Sequence, residues 1–419
     1  MISFEKFTLN NGLKVIVNQD NTTPIITVNV LYNVGSKDEK PDKTGFAHLF
    51  EHLMFGGSAN IPDYDTPLEK VGGENNAFTN TDITNYFISI PKPNLETAFW
   101  LESDRMLDLA FSKKKLEIQK NVVSEEYRQR YLNQPYGDTM LLFRPLVYKH
   151  HPYQWPTIGR DIEHIEKANL DDVKAFYQKF YNPNNAILSI SGDISVEEAR
   201  PLAEKWFAPI PKGEPYQRNL EQEPEQQEKR RHREVRDVPH HTIYKGYRMV
   251  SRKHPDFYTF DLITDILANG DSSRLHQRLV KEQHIFTNID AYVTGEIEPG
   301  MLMISGTISN GYSAEEAEKA IDKELDKIKK TPVQEEELQK VKNKAEAMME
   351  FGKLSGLNKA YLLAYFELLG DASAVNEEVR KFRSVTAEDV MRVANESLTD
   401  ERASVLYYLS EKLEQEPEE

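Results

Sequence analysis

Residues 44–57, TGFAHLFEHLMFGG, place two histidines and a glutamate among apolar neighbours: His48, Glu51 and His52. On an α-helix, side chains four positions apart lie on the same face, so His48 and His52 can bind one metal ion. Two histidines and one glutamate are typical of catalytic zinc sites, which take three protein ligands and leave a fourth position for water. Zinc lowers the pKa of such a water to about 7, and a nearby carboxylate can accept its proton.

The sequence HLFEH matches the H-x-x-E-H motif of inverted zincins. The structural alternative is a core helix whose polar side chains are satisfied by neighbours, which is the usual explanation for a single buried histidine. Three polar residues on a mostly apolar helix need buried partners, and a metal ion provides them. We therefore predict a zinc site at His48 and His52.

The third ligand is expected to be a glutamate on another helix. The segment NVVSEEYRQR, residues 121–130, offers Glu125 and Glu126. If Val122 and Val123 face the core, Glu126 lies on their face, because it follows them by four and three positions. Glu125 is rotated by about a hundred degrees from that face. Helical phase therefore favours Glu126 as the ligand and predicts that Glu125 is solvated.

The elements around these residues alternate between strands and helices. Period-two runs of β-branched residues predict strands, and 3.6-residue periodicity with capping signals predicts helices. A helix over 44–55, ended by Gly56 and Gly57, would carry the histidine motif. The other predicted strands lie within 6–20 (two strands around an Asn-Asn-Gly turn), 23–36, 76–91 and 185–194, and the other predicted helices lie within 94–107, 114–132 and 170–181. This interleaving predicts an α+β fold.

The composition restricts the class of protein. The 419 residues exceed one ordinary core and predict at least two domains. There is no cysteine, so a metal must be held by imidazole and carboxylate groups. The net charge of -16 argues against nucleic acid or an anionic membrane as the main partner. Neither a transmembrane-length apolar run nor a signal peptide is found, which predicts a cytoplasmic protein that does not span a membrane.

A change of composition divides the chain in two. Residues 211–239 are rich in Pro, Glu and Gln and carry an acidic block followed by a basic one, which is typical of a solvated linker. We therefore predict an N-terminal domain over 1–215 that binds zinc, a linker over 216–238 and a C-terminal domain over 239–419.

The two domains are predicted to be diverged copies of one another. Asp172-Val173 and Asp389-Val390 each stand near the start of a predicted helix that leads into a turn and an apolar strand. Phe78-Thr79-Asn80 is echoed by 286–288, Phe-Thr-Asn. The second domain's counterpart of the motif helix, DFYTFDLITDILANGDSS, contains no histidine. The C-terminal domain is therefore predicted to lack a zinc site.

HLFEHLMFGG, followed by VVSEEYRQRYLNQPYG, resembles the pitrilysin and insulin-degrading enzyme family, which includes the mitochondrial processing peptidases. The resemblance covers essentially the whole chain, with NNGLKVIV, NAFTNTDITNYF, HPYQWPTIG, YNPNNAILSISGD and GDSSRLHQRLVKE in the family's order. It implies a half-size, bacterial-type zinc peptidase subunit. It also implies two homologous α+β domains, each a mainly antiparallel sheet packed against helices, which form half of a clamshell around a chamber for extended peptides.

The resemblance also assigns roles to individual residues. It implies one zinc ion per chain, held by His48, His52 and Glu126, since Glu126 lies 74 residues past His52 (126 minus 52), as the family's distal ligand requires. It implies that Glu51 is the general base. It further implies that Asn76, Ala77, Phe78 and Thr79 form an edge strand that pairs with the substrate backbone. An ordinary sheet edge is the alternative for this strand.

One departure from the family pattern concerns the second domain. Active members carry an Arg and a Tyr seven positions apart in the segment that here is RLHQRLVKEQHIFTNIDAYV. Seven beyond Arg274 is Lys281, seven beyond Arg278 is Ile285, and Ile285 also lies seven before Tyr292. We therefore predict a dimer, either of identical chains or with a related subunit that supplies the Arg/Tyr pair.

These observations together predict a zinc-dependent metalloendopeptidase subunit that cleaves extended peptides. Two alternatives remain at this stage. A non-catalytic scaffold or assembly subunit occurs in the same family, usually with a degraded zinc motif, and zinc analysis distinguishes it. A metal-dependent hydrolase of non-peptide substrates would use the same water chemistry, because fold and motif do not by themselves specify the substrate.

Overall fold

The structure is a computed structural model and describes residues 1–415, with Gln415 described by its backbone alone. The last four residues of the predicted C-terminal domain therefore lie outside the described residues. Within 1–415, no helix combines the length and the hydropathy that crossing a bilayer requires.

The strands and helices alternate along the chain as an α+β fold requires. In chain order the strands are β1 (Glu5–Thr8), β2 (Lys14–Gln19), β3 (Ile25–Tyr32), β4 (Glu74–Thr79), β5 (Thr84–Pro91), β6 (Ala186–Gly192), β7 (Arg230–Arg236), β8 (Thr242–Arg248), β9 (Phe286–Val293), β10 (Met301–Ile308) and β11 (Ala403–Ser410). The α-helices are α1 (Phe46–Leu53), α2 (Asp65–Glu69), α3 (Leu95–Leu107), α4 (Lys113–Tyr127), α5 (Thr139–Val147), α6 (Ile162–Glu166), α7 (Leu170–Phe180), α8 (Val196–Phe207), α9 (Phe257–Leu267), α10 (Ala314–Lys330), α11 (Glu335–Gly352), α12 (Gly356–Leu369), α13 (Glu378–Ser384), α14 (Ala387–Ser397) and α15 (Glu411–Gln415).

The chain forms two compact units, and neither is continuous in sequence. The first unit comprises residues 1–129, 155–220 and 349–377, and the second comprises 130–154, 221–348 and the residues from 378 onward. These units differ from the predicted contiguous domains because two helices pack away from their sequence neighbours. Helix α12 lies on β3 and β6, where Leu363 and Phe366 join the apolar core beside Leu31 and Ile187. Helix α5 lies on β7, β8 and β11.

Each unit contains one mainly antiparallel sheet packed against helices, as predicted. The first sheet has the order β1-β2-β6-β3-β5-β4, and the second has the order β7-β11-β8-β10-β9. Apart from the additional edge strand β1, the two orders correspond strand by strand. The parallel pair β2 and β6 matches the parallel pair β7 and β11, and all the other neighbours are antiparallel. The shared topology agrees with a duplicated α+β unit.

Only one of the two sequence echoes corresponds to equivalent positions. Asp172 and Asp389 are each the third residue of their helix, and both helices lead into corresponding interior strands of their sheets, β6 and β11. By contrast, Phe78 is the next-to-last residue of β4, whereas Phe286 is the first residue of β9. The Phe-Thr-Asn match therefore does not align within the corresponding edge strands.

The predicted linker over 216–238 is partly folded. Residues 230–236 form β7, an edge strand that pairs in parallel with β11. Gln226 is buried and donates hydrogen bonds to the carbonyl oxygens of Glu401 and Ala403. Glu223 accepts hydrogen bonds from the backbone N–H groups of 149–151. The charge-rich composition of residues 216–238 is typical of a solvated linker, but exposed edge strands also carry charged side chains.

Candidate metal centre

Helix α1 packs an apolar face against the rest of the first unit and carries the candidate metal ligands on its other side. Phe46, Ala47, Leu49, Phe50 and Leu53 are buried. The Phe50 ring stacks on Phe176 at a centroid distance of 5.0 Å and on Tyr181 at 5.1 Å. These contacts fix the rotation of the helix about its axis. The side chains of His48 and His52 lie on the opposite side and are 13% and 26% exposed.

Helix α4 provides the third candidate ligand, a carboxylate. Glu126 lies near its C-terminal end with a side chain 18% exposed, whereas Glu125 is 60% exposed and pairs with Arg128 at 2.5 Å. The phase argument selected the glutamate that approaches the histidines, although one of its premises was wrong. Val123 is buried, but Val122 is 43% exposed, so the inward face runs through Val123 without Val122.

The structure brings three potential ligand atoms together. The Nε2 atoms of His48 and His52 lie 3.6 Å and 3.4 Å from the same Glu126 oxygen, Oε2. The two imidazole rings are perpendicular, at 89°, with centroids 4.8 Å apart. Ligand atoms placed tetrahedrally at about 2.0–2.1 Å from zinc lie about 3.3–3.4 Å from one another. The donor types and their separations therefore fit a zinc ion with little rearrangement.

Glu51 is positioned on the same helix, beside the three potential ligands. Burial raises the pKa of Glu51, and the negative charge of Glu126 acts in the same direction. Polar groups of Thr79, on β4, and the charge of His52 oppose this rise. A half-buried carboxylate with a raised pKa next to a metal site has the properties of a general base.

A second group of acidic residues, in the second unit, also lies close enough to hold a cation. Its members are Glu318, Asp322 and Asp400. This group already has cationic partners. The ammonium group of Lys245 lies 3.1 Å from Glu318 and also pairs with Asp322, and that of Lys229 pairs with Glu318 and Asp400. The lysines account for the cluster without a metal.

The predicted substrate strand lies at the edge of the first sheet. Among the described strands, β4 pairs with β5 alone and so forms an edge of the first sheet. On this edge strand the N–H of Ala77 donates to the side-chain oxygen of Asn76, and the N–H of Thr79 donates to Glu51. Asn76 is exposed, and Ala77, Phe78 and Thr79 are half-buried. The Phe78 ring makes an edge-on contact with Tyr361 of α12 at a centroid distance of 5.4 Å. The edge geometry suits backbone pairing with an extended peptide.

In the second unit, the residues compared with the Arg/Tyr pattern make local contacts. Arg274 forms a bidentate pair with Glu337, with N–O distances of 2.9 Å and 2.7 Å. Arg278 pairs with Glu282, four residues later. Tyr292 lies in β9, and its hydroxyl donates to the Sδ atom of Met303 at 3.1 Å. These contacts give the three residues structural roles in their own unit.

Comparison with known proteins is consistent with this geometry. Residues 14–142 match the family model described as Insulinase (Peptidase family M16), and residues 167–345 match that described as Peptidase M16 inactive domain. The chain is similar to the zinc protease PqqE of Helicobacter pylori, with 31% identity over 96% of this chain and 92% of the relative. It is also similar to an uncharacterized zinc protease, YmxG, of Bacillus subtilis, with 24% identity over 96% and 97% of the two chains.

A solved structure has the same fold over nearly the whole chain. The crystal structure of a protease from Helicobacter pylori superposes with a TM-score of 0.90 and 29% identity, and it covers 97% of this chain and 100% of that one. The family matches, the full-length similarity to PqqE and the shared fold lead to one conclusion: the chain belongs to the insulinase family of peptidases, M16.

Proposed function

We propose that the chain is the zinc-binding subunit of a metalloendopeptidase that cleaves extended peptides. The observation that carries this proposal is the convergence of His48, His52 and Glu126 at separations that suit tetrahedral zinc, with Glu51 beside them. The names of the relatives, which are zinc proteases, support the same activity.

Each group has a distinct part in the proposed reaction. His48, His52 and Glu126 hold one zinc ion. When bound, zinc supplies the Lewis acidity that activates water near neutral pH and polarises a carbonyl. Glu51 accepts a proton from the attacking water and delivers it to the leaving amine nitrogen, and its raised pKa suits both transfers.

Strand β4 orients the substrate. Backbone pairing to this edge strand holds a peptide extended without selecting a particular sequence. Thr79 belongs to this strand and also lies beside Glu51. Peptide paired to β4 is therefore brought close to the general base.

Substitution of Glu51 by Gln tests the proposal. Glu51→Gln is expected to lower kcat for a peptide substrate by at least about 10²-fold, because an amide cannot accept the proton. Zinc content, measured by elemental analysis, is expected to stay at one ion per chain, because Glu51 is not one of the three ligands.

Glu125→Gln is the matched control, since Glu125 is exposed and pairs with the partly exposed Arg128 rather than with the candidate ligands. Cleavage is measured on the chain alone and on the chain mixed with a related subunit from the same organism. Full activity of Glu51→Gln, or a wild-type chain that binds no zinc, would contradict the proposal.

A further inference from the structure

The N-terminus of α1 is capped by a side chain from outside the helix. The helix begins after Gly45, which has a positive φ of 86° and contributes no side-chain cap. The buried carboxylate of Glu39 takes that role: it accepts hydrogen bonds from the N–H of Gly45 at 2.9 Å and of Ala47 at 2.8 Å. Two of the N–H groups that a helix start leaves unpaired are thereby satisfied.

His164, on α6, binds the residue just before this cap. The N–H of Thr44 donates to His164 Nδ1 at 3.2 Å, and Thr44 Oγ1 lies 2.8 Å from the same nitrogen. Because a backbone N–H can only donate, Nδ1 is the acceptor and the imidazole carries its proton on Nε2. The N–H of Arg160 donates to Thr44 Oγ1 at 2.8 Å, which leaves the Thr44 hydroxyl proton free to point at Nδ1.

The segment 159–166, which we name the brace, also contacts the helix that carries Glu126. The Tyr127 hydroxyl donates to the carbonyl oxygen of Arg160 at 3.2 Å, and Arg128 pairs with Glu166 at 2.7 Å. The first residue of the brace, Gly159, lies against the start of α1, and the two backbones are in close contact. A Cβ atom on Gly159 would lie 3.1 Å from the Cα of Gly45. The brace therefore touches both elements that carry metal ligands.

We propose that Glu39, Thr44 and His164 are positioning residues for the metal centre: they fix the start of α1 against the brace, and so set the approach of His48 and His52 to Glu126. This inference rests on the proposed zinc site. It follows from the short length of α1, since His48 is the third residue of an eight-residue helix. A tilt at its start is passed almost directly to His48, and metal–ligand distances tolerate changes of only about 0.2 Å.

Zinc affinity of the full chain is the appropriate measurement, by competition with a chromophoric chelator. His164→Ala removes the acceptor from Thr44 and is expected to weaken zinc binding about 10- to 100-fold, as loss of a partner that orients metal ligands typically does. His164→Asn places an amide oxygen near the position of Nδ1 and is expected to restore most of the affinity. Glu163→Ala, on the same short helix, is the control, because its exposed side chain pairs with the exposed Lys167.

Thr44→Val tests the contact between Thr44 and His164 from the other partner. It removes the hydroxyl that joins Arg160 to His164 but keeps the shape of the side chain and the backbone N–H. If Thr44 and His164 act through one contact, the double variant is expected to lose less affinity than the product of the two single losses. Circular dichroism at the assay temperature establishes that each variant is folded.

The possible outcomes separate this inference from the proposed function. If folded His164→Ala binds zinc as tightly as the wild type, the positioning role is wrong, even where its Tm has fallen. If the wild-type chain itself binds no zinc, the proposed metal centre is wrong. Weakened zinc binding in His164→Ala with recovery in His164→Asn supports the positioning role.

Discussion

Glu125 and Glu126 are adjacent glutamates on one helix, and their surroundings give them different chemistry. Glu125 points into solvent and forms an exposed pair with Arg128, a type of contact that contributes little to stability. Glu126 turns toward two imidazoles, and its Oε2 atom lies within 3.6 Å of both Nε2 atoms. One step of about a hundred degrees around α4 separates a solvated carboxylate from a candidate metal ligand.

The proposed metal role of Glu126 predicts unequal effects of two otherwise identical substitutions. Glu126→Gln is expected to weaken zinc binding by more than about 100-fold, because a ligand loss costs more than the loss of a group that only orients ligands. Glu125→Gln is expected to leave the affinity unchanged. Chelator competition measures both, and equal affinities of the two variants would contradict the ligand assignment.

Two local signals near the site were not recognised in the sequence. Residues 76–91 predicted one strand, but the structure has two, β4 and β5, joined by a tight turn. Asn80 stabilises this turn, because its side-chain oxygen accepts hydrogen bonds from the N–H groups of Asp82 and Ile83. An Asn that bonds the backbone two and three residues later is a turn signal, which the surrounding β-branched residues obscured. The capping acid Glu39 was missed because it is six and eight residues from its partners.

At the scale of elements, the strands and helices around the candidate site were largely predictable because their patterns are local. The motif helix, the helix over Leu170–Phe180 and the strand over Ala186–Gly192 follow from periodicity and capping residues. The compact units were not predictable in this way. The return of α12 to the first sheet depends on contacts between residues more than 170 positions apart, such as Leu363 and Ile187, and no local pattern encodes them.

Corresponding helices of the two units, α1 and α9, carry different ionisable side chains. Helix α9 follows β8 as α1 follows β3, but it carries Asp261 and Asp265, four positions apart, in place of histidines. The ammonium of Lys344, on α11, lies 2.9 Å from Asp265. Burial raises the pKa of Asp261 to about 6, and Asp265 adds to this rise. The second unit balances acidic side chains on this helix with its own lysine.

Glu318 joins α10 to the second sheet through ion pairs and hydrogen bonds. Its carboxylate contacts Lys245 on β8, Arg231 on β7 and Tyr407 on β11, together with Lys229. Burial alone would raise the pKa of Glu318, but the charge of Lys245 and the hydrogen bonds from the other partners outweigh it and lower the pKa to about 2. The ordinary value in the unfolded chain is 4.5.

This lowered pKa predicts a pH-dependent contribution to stability. Because the folded pKa lies below the unfolded one, the contribution is fully present above about pH 4.5 and decreases as the pH falls toward 2. It amounts to at most about 3 kcal/mol. Glu318→Gln, which cannot titrate, is therefore expected to lower the urea midpoint of unfolding strongly at neutral pH and less than half as much near pH 3.

The comparison of midpoints between wild type and variant at each pH cancels the titration of the other carboxylates. Glu315→Gln, at an exposed position of the same helix, is the control. A Glu318→Gln effect that stays constant from pH 7 to pH 3 would show that the lowered pKa is wrong.

At the scale of the whole molecule, the two units share one topology but differ in the candidate functional residues that they carry. The histidine motif and the distal glutamate belong to the first unit, whereas Arg274, Arg278 and Tyr292 of the second make local contacts and do not form a pair seven positions apart. By the family pattern, the second unit is therefore expected to lack the Arg/Tyr pair that active relatives use. The proposed partner subunit would provide this pair.

Mixing experiments test this division of labour. The chain with a related subunit that carries the Arg/Tyr pair is expected to cleave peptides at least tenfold faster than the chain alone, because the pair then completes the site. Replacing this chain by Glu51→Gln in the mixture is the control that assigns the activity to its zinc centre. Equal rates with and without the partner would contradict the proposed division.

The interleaved order of the two units has a consequence for biosynthesis. The sheet that supports the candidate metal ligands is covered by α12, which ends at Leu369, in a segment of the first unit that extends to Glu377. During translation, the ribosome must therefore reach residue 377, and synthesise residues 221–348 of the second unit on the way, before the first unit can be completed. The candidate zinc ligands are thus synthesised well before the helix that completes their supporting sheet.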